Sequence, residues 1–319
     1  MKTALITGIN GQDGSYLSKL LINHNYKVIG TVRDNSSNRF NLKYLGIDDS
    51  VVLEVCDFQD YERVAEIFNK YKPEEVYNLA AQSSVGASFN EPKNTFQVNT
   101  TILLNILEVI RNLSPNTKLY QASSSEMFGN VRDLPICGDE KYNPLSPYAV
   151  SKVASHLLAK NYRNSYGLYI ATGILFNHES YLRKDSFFLK KVIKQSIKIM
   201  KGKQELLEVG NIDVRRDFGY APKYVEAMYL MLQQNKAEDY IVCSGESVSL
   251  RELIYYVFES LNISKKKLVI KDDLFRPLDI PEMVGDNSRT KEQLGWEYNM
   301  TVWDMMDLLI QEELDNSNN

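Results

Sequence analysis

The first fourteen residues restrict the fold of this chain more than any other stretch. Residues 2–7 form a short apolar run with β-branched side chains, and residues 15–21 have the apolar spacing of a helix. Between them, Gly8, Gly11 and Gly14 stand at every third position. Such glycines let the backbone approach phosphate groups, and a helix N-terminus offers free N–H groups. The stretch therefore predicts a dinucleotide-binding strand, turn and helix, with an ordinary strand–turn–helix as the simpler alternative.

The composition is that of a folded globular protein. The chain has 319 residues, 44% hydrophobic and 24% charged, which suits one large α/β domain or two lobes. A formal net charge of −4 argues against a general nucleic-acid-binding protein, and no apolar run approaches a membrane span. Three widely separated cysteines predict reduced thiols in a cytoplasmic protein. Because neither the cysteines nor the three histidines have ligand spacing, we expect no metal site.

Predicted strands and helices alternate along the first half of the chain. Four strands and two helices follow the N-terminal unit: strands at residues 26–33, 50–56, 75–81 and 118–123, and helices at 61–71 and 92–113. This alternation indicates parallel βαβ units with right-handed crossovers. The predicted fold class is α/β, a Rossmann-type doubly wound parallel sheet that binds ligands at the C-terminal ends of its strands.

The end of the second predicted strand carries the residues that distinguish NADP from NAD. An acidic residue there binds the NAD ribose, whereas an arginine accommodates the 2′-phosphate of NADP. Arg33 and Asp34 are neighbours and favour opposite cofactors. Ser36 and Arg39 in the following loop could join a phosphate pocket. We expect NADP, with NAD as the alternative.

Tyr148 and Lys152 stand four residues apart at the predicted start of a helix, so they share one face. A lysine beside a tyrosine favours the phenolate and lowers its pKa, which would make Tyr148 a usable base. Ser124, at the end of the fifth predicted strand, could share a hydrogen bond with that tyrosine. On an isolated surface helix this spacing usually means two solvated side chains. Downstream of a nucleotide-binding turn it predicts a catalytic group.

Four stretches carry a family resemblance: GINGQDGSYL at 8–17, QASSSEMFG at 121–129, GILFNHES at 173–180 and RRDFGYAPKYVEAMYLMLQQ at 215–234. Together with the spacing of Tyr148 and Lys152, they resemble the GDP-mannose 4,6-dehydratases and their homologues that act on related GDP-sugars. These enzymes belong to the extended short-chain dehydrogenase/reductase superfamily. The similarity runs through nearly the whole chain, to Gly295, Trp296 and the last helix.

The resemblance implies a smaller C-terminal lobe for the sugar nucleotide. It assigns residues 1–176 plus about 213–246 to a dinucleotide-binding domain, and about 177–212 plus 247–319 to the substrate lobe. It further implies a cytoplasmic protein that forms a homodimer or homotetramer. The expected partner is a GDP-sugar substrate, and we expect binding to neither nucleic acid nor a membrane.

The resemblance also assigns roles to individual residues. The expected catalytic residues are Ser124, Glu126, Tyr148 and Lys152. Cofactor contacts are expected at the glycine turn and the strand ends: Gly8, Asn10, Gly11, Gln12, Asp13, Gly14, Arg33, Asp57, Phe58, Leu79, Ala80, Ala81, Ser83, Tyr148 and Lys152. Substrate contacts are expected from Ser83, Ser84, Glu126, Asn177, Lys191, Arg216, Arg276 and Glu282. The two arginines suit a diphosphate because guanidinium binds phosphate oxygens bidentately, whereas the lysine-rich helix around Lys191 is alternatively a solvated face.

A 4,6-dehydratase oxidises C4 of the hexose, removes the acidified C5 proton, expels water from C6 and returns the hydride there. The resemblance implies that Tyr148 accepts the proton of the C4 hydroxyl, with Lys152 and Ser124 assisting. It makes Glu126 the base for C5. A carboxylate here is what plain nicotinamide sugar epimerases usually lack.

Three positions depart from the family pattern. Ser124 replaces a usual threonine, Arg33-Asp34 replaces an arginine pair in a shorter loop, and Tyr181-Leu182-Arg183 replaces proline and two arginines. The last departure leaves GDP-manno-heptose as a rival substrate. Rival functions are an epimerase or 4-ketoreductase on the same scaffold, or a non-catalytic NADP(H)-binding protein.

Overall fold

The computed structural model describes residues 1–34 and 36–316, which contain a seven-stranded parallel sheet. In chain order the strands are β1 (Thr3–Thr7), β2 (Lys27–Val32), β3 (Val52–Val55), β4 (Glu75–Asn78), β5 (Lys118–Ser124), β6 (Ile170–Leu175), β7 (Asn177–Glu179), β8 (Leu207–Val209), β9 (Arg215–Tyr220), β10 (Asp239–Val242), β11 (Ser247–Ser249), β12 (Leu268–Ile270) and β13 (Glu282–Met283). The helices are α1 (Gln12–Asn23), α2 (Phe40–Tyr44), α3 (Tyr61–Tyr71), α4 (Val85–Asn90), α5 (Pro92–Leu113), α6 (Pro147–Tyr166), α7 (Phe188–Met200), α8 (Ala221–Gln233), α9 (Leu250–Ser260), α10 (Ser288–Leu294) and α11 (Val302–Asn316).

The strand order of the large sheet is β10-β6-β5-β4-β1-β2-β3, and every neighbouring pair is parallel. The chain moves outward from β1 through β2 and β3, then crosses back to β4 and continues in the opposite direction. This reversal opens a crevice at the C-terminal ends of β1 and β4, where ligands of such folds bind. The prediction of a Rossmann-type doubly wound α/β sheet is confirmed.

Helices cover both faces of this sheet because successive side chains of its buried strands point to opposite sides. Val76 and Leu119 face a core shared with α3, α5 and α6. Tyr77 and Tyr120, one residue further along each strand, face the core that contains α1 and α8. The sheet is therefore held rigidly from both sides, and its strand ends are fixed points for side chains.

The second half of the chain adds a smaller sheet. Strand β9 pairs with β7 and β13 in parallel and with β11 antiparallel. Helices α7, α9 and α11 form a third core around Phe218 of β9. In contrast, α8 packs in the core with α1, and β10 is the edge strand of the large sheet. The predicted domain boundaries stay a prediction.

Within the described parts of the chain, the helices are all too short or too polar to cross a lipid bilayer.

Candidate active site

The glycine turn between β1 and α1 brings backbone close to backbone. Gly8 has a φ of +69°, and a Cβ there would lie 3.1 Å from the Cα of Ala80. A Cβ on Gly14 would lie 2.5 Å from the carbonyl oxygen of Gly8. Gly11, at the N-cap of α1, has no side chain to cap the helix, so no cap side chain occupies the first-turn N–H groups. This is a cradle for a pyrophosphate.

The ends of β1 and β4 are tied together beneath that turn. The Thr7 hydroxyl accepts hydrogen bonds from the backbone N–H groups of Leu79 and Ala80 at 3.0 and 2.9 Å. It donates to the Asn78 side chain at 2.8 Å. The buried Oδ1 of Asn10 has no hydrogen-bond partner among the described residues. A nicotinamide dinucleotide fits these residues, because the glycines leave it room and Asn10 keeps an acceptor for it.

A polar clamp joins the start of α1 to the segment after β6. His178 Nε2 lies 3.0 and 3.1 Å from the two carboxylate oxygens of Asp13. Ser180 donates to the side chain of Gln12 at 2.8 Å, and Gln12 donates to the carbonyl of His178 at 3.1 Å. Burial acts to raise the pKa of Asp13, but its charge and hydrogen-bond interactions with His178 prevail and lower it to about 2. Burial opposes the charged form of His178, yet Asp13 raises its pKa overall.

The loop after β2 uses its charged groups locally. The Asp34 carboxylate accepts hydrogen bonds from the N–H and hydroxyl of Ser36, which lower its pKa. Arg39 donates from Nε to Asp48 at 2.7 Å, so the structure commits this side chain to Asp48 instead of a shared phosphate pocket. Asp34 is likewise engaged by its own loop. Arg33 is thus the basic residue left for a cofactor phosphate at this strand end.

Tyr148 at the start of α6 and Ser124 at the end of β5 interact across the crevice edge of the sheet. Helix α6 begins there because Ser146 caps it by accepting from the N–H of Ala149 at 3.1 Å and Pro147 occupies its first turn. The Ser124 side chain hydrogen-bonds the Tyr148 phenol, and this bond favours the phenolate. Lys152 Nζ donates to the carbonyl of Ala122 at 2.9 Å. The helix thus sets a phenol and an ammonium on one side of the crevice.

The direction of the Tyr148 pKa corrects the expectation drawn from the sequence. Burial raises it to about 12, since it outweighs the hydrogen bond from Ser124. Lys152 Nζ lies 5.7 Å from the centre of the Tyr148 ring, and burial lowers the pKa of Lys152 to about 8. In the protein alone, Lys152 therefore does not produce a phenolate at neutral pH.

Glu126, just after β5, interacts electrostatically with Tyr148 and with the predicted phosphate-binding arginines. Burial raises its pKa, and the positive charges of Arg216 and Arg276 oppose that rise. The same carboxylate acts on Tyr148, whose pKa it raises further. The structure thus brings Glu126, Tyr148 and both arginines into one electrostatic neighbourhood.

The two arginines differ in how freely they can meet a ligand. Arg216 is 6% exposed and donates to Asp279 at 2.7 Å and to the carbonyl of Ile280 at 2.6 Å. Arg276 is exposed, with Nη1 3.8 Å from the Asp279 carboxylate. A diphosphate would compete with Asp279 for both guanidinium groups.

The other predicted substrate residues are more dispersed. Lys191 Nζ donates to the carbonyl of Glu208 at 3.0 Å, and Glu282 accepts from the hydroxyl of Ser247. Ser84 caps α4 by accepting from the N–H of Ala87 at 3.2 Å, and Asn177 pairs through β7 with β9. Ser83 is exposed.

The remaining cofactor candidates lie at the strand ends. Asp57 accepts from the N–H of Gln59 at 3.0 Å, just after β3. Phe58 is buried, and Ala81 lies half-buried after β4. These positions lie at the same C-terminal edge of the parallel sheet as the glycine turn.

The sequence analysis assigned no site role to Asn99 or Arg183, although it named Arg183 among the departures from the family pattern. Asn99, buried on α5, accepts from the N–H of Gln82 at 2.9 Å and donates to Ser151 at 2.8 Å. Arg183 stacks its guanidinium 3.5 Å from the Phe187 ring centre, and its charge lowers the pKa of Tyr148. The position of Arg183 next to the GILFNHES stretch was the available signal, whereas nothing in the local sequence marks Asn99.

No cluster of three or more potential metal-ligating side chains occurs in residues 1–34 and 36–316.

Known proteins are similar to this chain in sequence and in fold. The sequence profile of "GDP-mannose 4,6 dehydratase" matches residues 5–309. GDP-mannose 4,6 dehydratase 1 of Arabidopsis thaliana is 40% identical over 98% of this chain and 90% of its own. Among solved structures, dTDP-glucose 4,6-dehydratase from Bacillus anthracis, in complex with NAD, has a TM-score of 0.87 at 18% identity, covering 100% of this chain and 98% of that one. RMD from Pseudomonas aeruginosa, complexed with NADPH, has a TM-score of 0.83 at 24% identity, covering 99% and 100%.

The doubly wound sheet, the glycine cradle and the paired Tyr148 and Lys152 define an extended short-chain dehydrogenase/reductase. Within that superfamily, the chain belongs to the GDP-mannose 4,6-dehydratase family.

Proposed function

We propose that this protein is a nicotinamide-dependent hydro-lyase that converts GDP-mannose, or a closely related GDP-sugar, to its 4-keto-6-deoxy form. The observation that carries the proposal is the placement of Glu126. Its carboxylate acts electrostatically on Tyr148 on one side and on Arg216 and Arg276 on the other. These interactions support Glu126 as a second base close to Tyr148 and the arginines, which a plain 4-epimerase does not require.

The cofactor site suits a nicotinamide dinucleotide, and we infer NADP in preference to NAD. When bound, this cofactor supplies reversible storage of a hydride, so the reaction has no net redox change. Arg33 supports NADP because Asp34 is engaged by Ser36 and Arg39 by Asp48. The Asp34 carboxylate is thereby less available to the ribose hydroxyls of NAD.

The chain's own residues divide the proton transfers between them. Tyr148 accepts the proton of the C4 hydroxyl, and the Ser124 hydroxyl stabilises its phenolate. Glu126 accepts the C5 proton from the carbon made acidic by the C4 ketone, and a proton from Glu126 lets the C6 hydroxyl leave as water. The raised pKa of Glu126 suits both halves of this task, because the carboxyl must first take a proton and then give one.

The diphosphate is proposed to bind between Arg216 and Arg276. Their positive charges lie near Glu126, so a sugar whose diphosphate they hold has its hexose within reach of that carboxylate. Asp279 neutralises the arginines until the ligand arrives. Tyr181, one of the residues that depart from the family pattern, packs against Tyr44 with ring centres 4.8 Å apart. GDP-manno-heptose remains the alternative substrate.

The protein is proposed to work as a homodimer through the outer faces of α5 and α6, which pack side by side. Six large apolar or aromatic side chains on these helices are 38% to 49% exposed: Phe96, Leu104 and Leu113 on α5, and Val150, Leu157 and Tyr166 on α6. An apolar face of this kind is covered most simply by the same face of a second copy. A nucleotide-sugar substrate and three free thiols favour a cytoplasmic location.

The deciding experiment incubates the purified protein with GDP-mannose and, in parallel, GDP-manno-heptose, UDP-glucose and dTDP-glucose. Mass spectrometry should show loss of one water from a GDP-sugar, with no net consumption of NADPH. Consumption of NADPH when a GDP-4-keto-6-deoxy sugar is supplied, with no water loss from the four parent sugars, would identify a reductase. An isomeric product of unchanged mass would identify an epimerase.

A further inference from the structure

Helix α6 and strand β5 are joined by three polar contacts, and the proposed mechanism uses only two of them. The three contacts follow one another by one helical turn: Tyr148 with Ser124, Lys152 with the carbonyl of Ala122, and His156 with Ser123. Because residues 148, 152 and 156 are four apart, they share one face of the helix. The third contact, made by His156, lies behind the active site.

His156 is 1% exposed and sits between two other elements of the fold. Its Nδ1 lies 2.9 Å from the Ser123 hydroxyl, and its Nε2 lies 3.7 Å from a carboxylate oxygen of Asp239 on β10. Asp239 is itself held by Arg163 at 2.9 Å and by Thr172 at 2.7 Å. The imidazole thus bridges β10 and β5.

The surroundings of His156 decide which of its nitrogens carries the proton. The Asp239 carboxylate, 3.7 Å from Nε2, electrostatically favours the tautomer with its N–H on that nitrogen. Nδ1 is then an acceptor, and the Ser123 hydroxyl donates to it. Burial lowers the pKa of His156 and keeps the ring neutral at physiological pH. The polar, charged and titratable groups that face it are Asp239 on β10, Lys160 and Arg163 on α6, Ser123 on β5, and Tyr142 in the loop before α6.

We propose that His156 is a positioning residue that, through Ser123, fixes the end of β5 so that Ser124 meets Tyr148. Ser123 and Ser124 are consecutive strand residues, so holding the side chain of one fixes the direction of the other. The inference rests on the proposed function, in which Tyr148 takes the C4 proton. We call Asp239, His156 and Ser123 the relay.

The test compares His156→Leu, which removes both polar contacts, with His156→Asn, which keeps an acceptor near Nδ1. Tyr162→Phe is the matched control, because it removes another hydrogen bond of α6, to Glu108 at 2.6 Å, outside the relay. Single-turnover reduction of bound cofactor by GDP-mannose reports C4 oxidation. We expect His156→Leu to slow it about three- to tenfold, the scale of one lost hydrogen bond. His156→Asn and Tyr162→Phe should stay close to wild type.

The pH profile and the Michaelis constant separate positioning from general damage. In His156→Leu, the rising limb of kcat/KM that reports Tyr148 should move to higher pH, because a misplaced Ser124 no longer stabilises the phenolate. The other groups that act on Tyr148 stay unchanged: Glu126, Lys152, Arg183 and Asp13. KM for GDP-mannose should change by less than about twofold, since substrate binding is left intact. An unshifted limb with wild-type cofactor reduction would overturn the proposal.

Histidine-selective NMR tests the relay without any substrate. The chain has three histidines, so three imidazole signals are expected. Ser123→Ala and Asp239→Asn should each shift the nitrogens of His156, and unchanged shifts would overturn the relay. If His156→Leu does not fold, Ser123→Ala carries the rate test instead. If wild-type protein reduces no cofactor with any GDP-sugar, the proposed function is refuted. The NMR spectra would then show by themselves whether the contacts of the relay exist.

Discussion

At the scale of single residues, burial sets the direction of the acid–base chemistry. Burial raises the pKa of Tyr148 to about 12 and lowers that of Lys152 to about 8. Both shifts favour the neutral forms, so the site rests without a phenolate. The positive charge of an oxidised nicotinamide would favour the phenolate. Proton removal from C4 is then coupled to the presence of the oxidised cofactor.

Glu126→Gln should separate oxidation from elimination, because it keeps the shape and removes the base. We expect water loss to fall by a factor of about 10² to 10⁴, the usual worth of a positioned base. C4 oxidation should continue slowly, so that reduced cofactor accumulates and absorbs in the near ultraviolet. Hydrogen exchange at C5 in heavy water should disappear.

The control for this variant is Glu205→Gln, which neutralises an exposed carboxylate between α7 and β8. This control should catalyse water loss from the sugar at the wild-type rate. Wild-type rates in Glu126→Gln would contradict the assignment of the C5 base and favour the reductase or epimerase alternative.

Arg33→Ala should weaken the binding of NADP more than the binding of NAD, since NADP alone carries a 2′-phosphate. Loss of one charge-assisted contact should raise the dissociation constant for NADP about tenfold or more, with little effect on NAD. Titration calorimetry with each cofactor measures both constants. Arg39→Ala is the matched control, because Arg39 is paired with Asp48 and should not discriminate. If Arg33→Ala loses the same affinity for both cofactors, the arginine does not contact the 2′-phosphate.

At the scale of elements, the sequence predicted the parts built from local patterns. The glycine turn, the first five strands of the large sheet and the start of helix α6 follow from periodicity and capping, which act within a few residues. The pairing of β9 with three short strands does not, because those partners lie far apart in the chain. The same limit applies at the site. The Tyr148 and Lys152 spacing was readable, whereas the pKa of Tyr148 depends on burial by residues from several elements.

Helices α5 and α6 should hold the dimer through their exposed apolar side chains. Leu157→Glu places a charge on that face, where it would have to be desolvated on association. We expect the dimer to become a monomer, as measured by light scattering after size-exclusion chromatography. Met200→Glu, at the end of α7, changes an equally apolar and similarly exposed side chain elsewhere and should stay dimeric. A Leu157→Glu protein that stays dimeric would place the interface on another face.

At the scale of the whole molecule, a clamp of four side chains joins the dinucleotide-binding helix to the start of the smaller sheet. Asp13 and Gln12 at the start of α1 meet His178 on β7 and Ser180 just after it. The sequence placed Asp13 and Gln12 at the cofactor and could not show their partners about 165 residues away, a distance that only the fold closes. The clamp brings the two candidate binding regions to the same edge of the crevice.

Asp13→Asn should therefore destabilise the protein in a pH-dependent way. The raised pKa of His178 means that its stabilising contribution is complete below its unfolded pKa of about 6.5 and is lost as pH rises through the folded value. The Asp13 contribution is present above its unfolded pKa and is lost only as pH falls towards about 2. The ion pair is thus intact at about pH 5.5 and weakened at about pH 9.

The expected loss in unfolding free energy for Asp13→Asn is about 2 kcal/mol near pH 5.5, the scale of one charge-assisted hydrogen bond. The loss should shrink towards pH 9, because neutral His178 keeps only a neutral hydrogen bond. Urea unfolding of wild type and variant at both pH values measures the difference. Asp213→Asn, which breaks the exposed pair with Arg251, should show a small loss that is the same at both pH values, since neither of its charges titrates there. An Asp13→Asn penalty that is equal at the two pH values would mean that His178 is not charged in the folded protein, and the clamp would then be held by neutral hydrogen bonds alone.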